Sequence, residues 1–171
     1  MRVPLLLAFF ILILDILSKA IVIQTIPYHP YHSSFYPYGG VGVFENFLGV
    51  EFSIIHLANT GAAWGMFPGW QMTLLVLRLL IIGAMVFYLF FGKNSLYQTT
   101  LPMTMILAGA LGNVLDTLIH GHVVDMFHFV LWGYDFPAFN IADSAICLGV
   151  AWLFMTSFVA PSKEKPNCER N

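Results

Sequence analysis

Four long apolar stretches, separated by more polar connections, organise the chain. They cover about residues 4–25, 71–91, 100–119 and 137–159. As helices that rise about 1.5 Å per residue, such stretches are long enough to cross a hydrocarbon core about 30 Å thick. The pattern predicts a single membrane domain over residues 1–160 with four transmembrane helices, followed by a polar tail at 161–171.

The first apolar stretch has a second interpretation, because Arg2 precedes it as a cation precedes the core of a secretory signal peptide. Two observations favour a retained membrane helix instead. Asp15 and Lys19 interrupt the apolar run, and it contains no clear cleavage site flanked by small residues.

The connection between the first two helices, residues 27–70, contains two different patterns. Tyr, Pro, His and Gly dominate residues 28–42, which predicts a long loop. From Val50 towards Asn59, apolar and polar residues alternate with the period of a half-buried strand, and N-T-G-A-A then reads as a turn. We therefore expect an all-α membrane protein, a four-transmembrane-helix bundle with a small β-sheet between helices 1 and 2. The connection at residues 120–137 is expected to be a loop.

Composition agrees with a membrane location. Only 9% of the residues are charged and 58% are hydrophobic, and the mean hydropathy is +0.78. A chain of this length has too few polar residues to coat a water-soluble globule. The net charge of -2 is small and no basic run is present, so no nucleic-acid partner is expected. Cys147 and Cys168 have neither disulfide-framework nor metal-site spacing.

The distribution of cations predicts the orientation of the bundle. Residues 27–70 and 120–137 contain no Lys or Arg. In a bundle of four spans, the cations of the two chain termini and of the link after the second helix all lie on the opposite side, and these are Arg2, Lys93, Lys163, Lys165 and Arg170. Because short cytoplasmic loops carry the excess of Lys and Arg, both termini are expected to be cytoplasmic and the sheet periplasmic. An outer interfacial belt would then comprise Trp64, Trp70, Trp132 and Tyr134.

Polar residues inside the apolar stretches fall at a common depth near the outer ends of the helices. They are paired at helical spacing, as Asp15 with Lys19, Asn113 with Asp116, and Asn140 with Asp143. Polar groups at this depth avoid lipid by facing the bundle interior, so we expect one shared outer cavity. Simpler roles are also open. One alternative is that Asp15 and Lys19 form only an intrahelical ion pair. Another is that the asparagines make interhelical hydrogen bonds and that Asp116 is a tolerated, water-exposed acid.

Asp125 and Asp143 are the strongest candidates for chemistry. Asp125 follows the third helix and is expected to fold back over the polar layer, close to Asp143. Two adjacent carboxylates cannot both ionise easily, so they share a proton, and the ionised partner can then activate a water molecule. Such a mechanism needs no cofactor.

Other sites and functions are weaker predictions. The spacing of three histidines and one acid imitates a metal site: His120, His122, His128 and Asp125. Side chains two positions apart rarely converge on one ion, so no metal is expected. Ser18 and Ser144 have no evident His and Asp relay. A small proton-coupled transporter or channel, or a structural assembly subunit, remains an alternative function.

The motifs in this chain resemble those of the lipoprotein signal peptidases, also called signal peptidase II. Five ordered blocks carry the resemblance: D-I-L-S-K at 15–19, N-T-G-A-A-W at 59–64, G-A-L-G-N-V-L-D at 109–116, V-V-D at 123–125 and F-N-I-A-D-S at 139–144. The resemblance implies an aspartic endopeptidase of the bacterial inner membrane. It would remove the signal peptide from diacylglyceryl-modified prolipoproteins, cutting before the lipidated cysteine, with two Asp residues activating water.

The resemblance also implies site residues and partners. The catalytic pair falls on Asp125 and Asp143, and the supporting residues on Asp15, Lys19, Asn59, Gly61, Asn113, Asp116, Asn140 and Ala142, with the sheet cradling the substrate. It implies contact with membrane lipid, an active site near the periplasmic side, no cofactor, and inhibition by globomycin-type cyclic peptides.

Two positions depart from the family pattern. Thr117 stands where the family usually has arginine after the acid, and Ile16 stands where it usually has glutamine. Arg78, in the second helix at a depth similar to that of Asp116, is a candidate replacement for the missing cation. The alternatives are that Arg78 pairs with another group or extends towards the membrane surface.

Overall fold

The computed structural model describes residues 2–28, 34–61, 69–91 and 97–159. Within these ranges the chain forms four helices and four strands, in the order α1 (Arg2–Thr25), β1 (Val41–Phe47), β2 (Val50–Asn59), α2 (Gln71–Phe91), α3 (Tyr97–His120), β3 (Val123–Leu131), β4 (Tyr134–Phe139) and α4 (Ile141–Val159).

Three of these helices contain segments long and apolar enough to cross a membrane: Val3–Thr25, Gln71–Phe91 and Thr99–His120. The apolar part of α4, Ile141–Thr156, is shorter. We expected the fourth helix to begin at about Pro137, but residues 134–139 pair with β3 and α4 begins only at Ile141. Large apolar side chains such as Leu5, Phe9 and Phe90 are exposed on the helices, as lipid-facing positions require.

Helix α3 is the centre of the bundle and contacts each of the other three helices. Two of its glycines allow a close approach on the side that faces α1 and α4. A Cβ atom at Gly109 would lie 2.3 Å from the backbone oxygen of Ala142, and one at Gly112 would lie 2.6 Å from Oδ2 of Asp15. Small residues at such contacts bring polar groups on neighbouring helices within hydrogen-bonding distance.

The strands form one antiparallel sheet in the order β1-β2-β3-β4. The expectation of a sheet between helices 1 and 2 was therefore incomplete, because the predicted loop at 120–137 supplies half of the strands. Strands β2 and β3 join the two connections, and their register places Leu57 opposite Asp125 and Asn59 opposite Val123.

The inner end of the sheet packs against the last turns of α1. Val22 and Ile26 form a buried cluster with Val124 and Met126 of β3. At the far end the two hairpin turns meet, where the backbone nitrogen of Trp132 donates to the oxygen of Gly49 over 2.8 Å. Of the residues predicted for an outer aromatic belt, Trp70, Trp132 and Tyr134 are exposed. Trp64 lies outside the described residues.

Candidate active site

A single lysine organises the polar layer beneath the sheet. Lys19 Nζ lies 2.7 Å from Asp15 Oδ2, 2.8 Å from Asp116 Oδ2 and 3.2 Å from Asn113 Oδ1. All four side chains are buried. A buried charge is tolerated when it is paired and hydrogen-bonded, and here one cation serves two carboxylates. The pair Asp15 and Lys19 is therefore part of a contact between α1 and α3, more than an isolated intrahelical ion pair.

The two acids of this layer also hold backbone groups. Asp15 Oδ1 accepts a hydrogen bond from the nitrogen of Ala142 over 2.9 Å, and Asp116 Oδ2 accepts one from the nitrogen of Val124 over 3.1 Å. Ala142 directly precedes Asp143, and Val124 directly precedes Asp125. The charged layer thus fixes the backbone immediately before both candidate catalytic residues.

Asn140 connects Asp125 to Asp143. Its Nδ2 donates to Asp125 Oδ1 over 2.8 Å, while its backbone nitrogen donates to Asp143 Oδ2 over 3.3 Å. The backbone nitrogen of Asp143 in turn donates to Asn140 Oδ1 over 2.9 Å. This reciprocal pattern is a capping box, which explains why α4 begins immediately after Asn140. The cap that starts the helix also aligns the two carboxylates.

Two further amides complete the shell around the carboxylates. Asn113 Nδ2 donates to Asp143 Oδ1 over 2.8 Å, and Asn59 Nδ2 donates to Asp125 Oδ2 over 2.9 Å. The nitrogen of Gly61 donates to Asn59 Oδ1 over 3.0 Å and so orients that amide. Each carboxylate therefore has two oxygens that accept hydrogen bonds from fixed donors.

Burial and repulsion change the acidity of Asp125. Its side chain is almost completely buried. Burial, followed by the negative charge of Asp143, raises the pKa of Asp125 from 3.8 to about 7, against the opposing hydrogen bonds from Asn59 and Asn140. Near neutral pH the Asp125 carboxyl can therefore hold a proton.

An open cavity of about 380 Å³ adjoins Asp125. The ends of β2 and β4 form its walls, and Asn59 and Gly61 lie in its lining with His128 and Asp135. A chain segment entering this cavity would meet Asp125 at the inner end of the sheet.

All ten residues predicted for the site belong to one connected network, which comprises Asp15, Lys19, Asn59, Gly61, Asn113, Asp116, Asp125, Asn140, Ala142 and Asp143. Sequence reasoning missed the backbone of Val124, for which no side-chain signal exists. It also missed Asp135 as a lining residue. The alternation H-F-V-L-W-G-Y-D around a Gly turn was the available signal, since it places Asp135 near His128 on a hairpin.

The histidines do not assemble a metal site in the described part of the chain. His128 instead contacts Asp135 through Nε2 at 2.6 Å and Ser53 through Nδ1 at 3.4 Å. Ser53, His128 and Asp135 follow one another as in a hydrolase relay. Ser53 is completely buried, however, so its hydroxyl cannot reach a substrate carbonyl.

Thr117 stands near the end of α3, where the family usually has arginine. Thr117 Oγ1 donates to the backbone oxygen of Asn113 over 2.9 Å. Among the ion pairs of the described residues, Asp116 pairs with Lys19 and not with Arg78. Arg78 is half-buried on α2. The contact between Arg78 and Asp116 that we considered is therefore not formed.

Comparison with known proteins agrees with the motifs. The family model for signal peptidase (SPase) II matches residues 7–159. A lipoprotein signal peptidase of Chlamydia pneumoniae is 40% identical over 115 residues, which cover 67% of this chain and 68% of that protein. One from Chlamydia trachomatis serovar L2 is 36% identical over 156 residues, covering 91% and 89%. One from Bacillus pumilus is 37% identical over 114 residues, covering 67% and 74%.

Solved structures show the same fold. One bacterial membrane enzyme has a TM-score of 0.78 at 27% identity, over 100% of this chain and 94% of that chain. A second has a TM-score of 0.74 at 29% identity, over 96% of both chains. The resemblance inferred from the five sequence blocks is confirmed. The chain belongs to the signal peptidase II family, the lipoprotein signal peptidases of the aspartic peptidase class.

Proposed function

We propose that this protein removes the signal peptide of diacylglyceryl-modified prolipoproteins by cutting before the lipidated cysteine, with Asp125 and Asp143 activating water. Family membership supports the general activity, cleavage of lipoprotein signal peptides. One observation carries the assignment of the two acids. Asn140 hydrogen-bonds both carboxylates, Asp125 through its side-chain Nδ2 and Asp143 through its backbone nitrogen, and Asp125 lines the cavity.

The chemistry follows from a proton shared by the pair. The ionised carboxylate removes a proton from water while the protonated one donates a hydrogen bond to the scissile carbonyl oxygen. The water oxygen then bonds to the carbonyl carbon, and the carbon–nitrogen bond breaks as the leaving amine takes up a proton. Asp125, with its raised pKa, is suited to hold the shared proton before the reaction. Asp143 accepts hydrogen bonds from Asn113 Nδ2 and from the backbone nitrogen of Asn140.

The supporting residues have distinct roles in this proposal. Asp15 and Asp116 accept hydrogen bonds from the backbone nitrogens of Ala142 and Val124, and so position the catalytic acids without contacting substrate. Lys19 acts through its ion pairs with Asp15 and Asp116. Asn59, oriented by Gly61, lies in the cavity lining and keeps Asp125 aligned. No step requires a cofactor.

The proposed setting is the bacterial inner membrane, with four spans, cytoplasmic termini and the site near the periplasmic side. At about 1.5 Å per residue, the 19 residues of α4 extend roughly 28 Å, close to the thickness of a hydrocarbon core. A substrate anchored by its lipid in the outer leaflet would then present its scissile bond at the level of the dyad. Globomycin-type cyclic peptides are proposed to inhibit by occupying the cavity beside Asp125.

The test uses purified protein in detergent and a lipid-modified prolipoprotein, with release of the signal peptide as the measurement. Asp125→Asn and Asp143→Asn are each expected to lower turnover by at least about 100-fold, because an amide cannot exchange the shared proton. Glu45→Gln, which removes an exposed acid from β1, is the control and should retain wild-type turnover. Near-normal turnover by either Asn variant would refute the dyad, and a wild type that releases no signal peptide would favour the transporter alternative.

A further inference from the structure

Ser53, His128 and Asp135 form a linked group across β2, β3 and β4 that the proposed reaction does not use. Ser53 and His128 are buried, whereas the Asp135 side chain is 69% exposed. His128 and Asp135 both line the cavity that Asp125 lines. The group therefore links the interior of the sheet to a carboxylate that projects beside the proposed substrate path.

The buried members fix the orientation of the exposed one. A His128 ring that donates from Nε2 to Asp135 presents Nδ1 as an acceptor, which the hydroxyl of Ser53 can satisfy. The edge of the Tyr38 ring packs on His128 at a centroid distance of 4.7 Å, and the Tyr38 hydroxyl is hydrogen-bonded to Glu51. The imidazole is thus constrained on several sides, and it holds the Asp135 carboxylate in one position.

The charge of the cavity favours a cationic ligand. Among its described lining residues, the carboxylates are Asp125 and Asp135, and Lys and Arg do not occur. In sequence, residues 27–70 and 120–137 contain no Lys or Arg either. An acid held in such surroundings attracts a positive group and repels a negative one.

The location of Asp135 indicates which part of a substrate it would meet. Asp125 lies near the bundle end of β3, whereas Asp135 pairs with Val130 near the outer hairpin. The cavity therefore extends from the dyad away from the helices. The apolar signal segment is expected beside the helices, so the segment on the other side of the cut would pass Asp135.

Resting on the proposed function, we propose that Asp135, positioned by His128, is an acidic subsite selecting cationic side chains just after the lipidated cysteine. Asp135 acts on substrate binding and His128 acts through Asp135. A partly exposed ion pair contributes little, so the expected preference is about fivefold.

The test compares lipid-modified peptides that carry Lys, Gln or Glu at the first, second or third residue after the cysteine. Wild-type protein is expected to favour Lys over Glu at one of these positions by about fivefold in kcat/KM, mainly through KM. Asp135→Asn should bring this ratio close to one, and Asp135→Lys should invert it. Glu45→Lys makes the same change in charge on an exposed site outside the cavity lining, so its ratio should stay at the wild-type value.

His128 is tested by its effect on the same ratio. His128→Phe, which keeps a ring but loses the hydrogen bond, should lower the Lys preference through KM. His128→Gln, which retains a donor, should restore part of it. If Asp135→Lys does not fold, the ratio of kcat/KM for Lys peptides to that for Glu peptides, measured with Asp135→Asn, decides whether Asp135 is the subsite.

The outcomes separate the two proposals. Failure of wild-type protein to cleave the Gln peptides would refute the proposed function itself. Cleavage of all peptides with equal efficiency, or equal shifts from Glu45→Lys and Asp135→Lys, would overturn the subsite while leaving the proposed function intact.

Discussion

Lys19 shows how one residue compensates several buried charges. Its ammonium group lies between Asp15 and Asp116, and each of those acids also holds the backbone that precedes a candidate catalytic residue. Removing the lysine would leave two buried carboxylates without a cation. Because a buried charge without its partner is strongly unfavourable, the effect should exceed the loss of one hydrogen bond.

We expect Lys19→Met to reduce the free energy of unfolding by about 3–5 kcal/mol. Adding Asp116→Asn should recover part of this loss, since it removes one of the two uncompensated charges. Tm in detergent and the yield of monodisperse protein are the measurements, with the exposed-site variant Glu45→Gln as the control. A Lys19→Met protein as stable as wild type, or a double variant no better than the single one, would contradict this account.

Burial of the Asp125 carboxyl makes the stability of the protein depend on pH. Its pKa rises from 3.8 in the unfolded chain to about 7 in the folded protein, so the folded state binds the proton more tightly. Stability from this group is fully present below about pH 4 and is lost as the pH rises through about 7. The difference corresponds to at most about 4 kcal/mol.

Asp125→Asn should remove that pH dependence, because an amide does not ionise. Between pH 5 and pH 8 the Tm of wild-type protein is expected to fall relative to that of the variant, and Glu45→Gln should follow the wild type. Thermal unfolding in one detergent across this range is the measurement. Parallel curves for wild type and Asp125→Asn would show that burial of Asp125 does not raise its proton affinity.

At the scale of the elements, the length of the apolar runs predicted the helices well, whereas the alternation of apolar and polar residues predicted only part of the sheet. The apolar run at 71–91 coincides with α2, because nothing but length and hydropathy defines a lipid-facing helix. Strand β3, V-V-D-M-F-H-F-V-L, has apolar residues on both faces, so it lacks the alternation of a half-buried strand. Its pairing with β2 joins Asn59 to Val123, and no local pattern encodes a contact over that separation.

The candidate site divides in the same way. The i, i+3 spacing of Asn140 and Asp143 predicted a shared helix face, whereas Asn140 lies just before α4 and forms a capping box with Asp143. The contacts of Asp15 and Asp116 with backbone nitrogens were not predictable, since every non-proline residue carries such a donor. Spacing therefore identified the helical pairs, the family resemblance supplied Asn59, Gly61 and Ala142, and tertiary packing decided which groups they contact.

The junction of the two hairpins is an element-scale feature that substitution can test. Gly49 has φ of 83°, and a Cβ atom there would lie 2.6 Å from Cδ1 of Trp132. Gly133 has a similar φ of 82°, but the space beside it is open. Both Gly→Ala changes should cost about 1 kcal/mol in backbone strain, and Gly49→Ala should cost more because of the clash.

The expected order of Tm is wild type, then Gly133→Ala, then Gly49→Ala. Combining Gly49→Ala with Trp132→Ala should relieve the clash. The loss of Tm in this double variant should then be closer to the sum of the losses caused by Gly133→Ala and Trp132→Ala. Equal Tm values for the two glycine variants would show that the hairpin turns do not contact each other as described.

At the scale of the whole molecule, the sheet constrains the membrane topology. Strand β2 lies between α1 and α2, strand β3 lies between α3 and α4, and the two strands are hydrogen-bonded. Both connections must therefore be on the same side of the membrane. We propose that α2 and α3 both span the membrane, which would put the link between them on the other side. We propose that the sheet lies on the outer side, because residues 27–70 and 120–137 contain no Lys or Arg.

Single cysteines introduced into a variant without Cys147 and Cys168 test this topology. Phe35→Cys and Trp132→Cys replace exposed side chains on the sheet side, and Ser95→Cys lies in the sequence between α2 and α3. An impermeant thiol reagent added to intact spheroplasts should label residues 35 and 132 and should label residue 95 only after permeabilisation. Labelling of residue 95 alone would invert the orientation but keep the pairing of β2 with β3. A third outcome is that residue 35 is labelled in intact spheroplasts, residue 132 is not, and both react after permeabilisation. This outcome would place the two connections on opposite sides of the membrane and so exclude the pairing of β2 with β3.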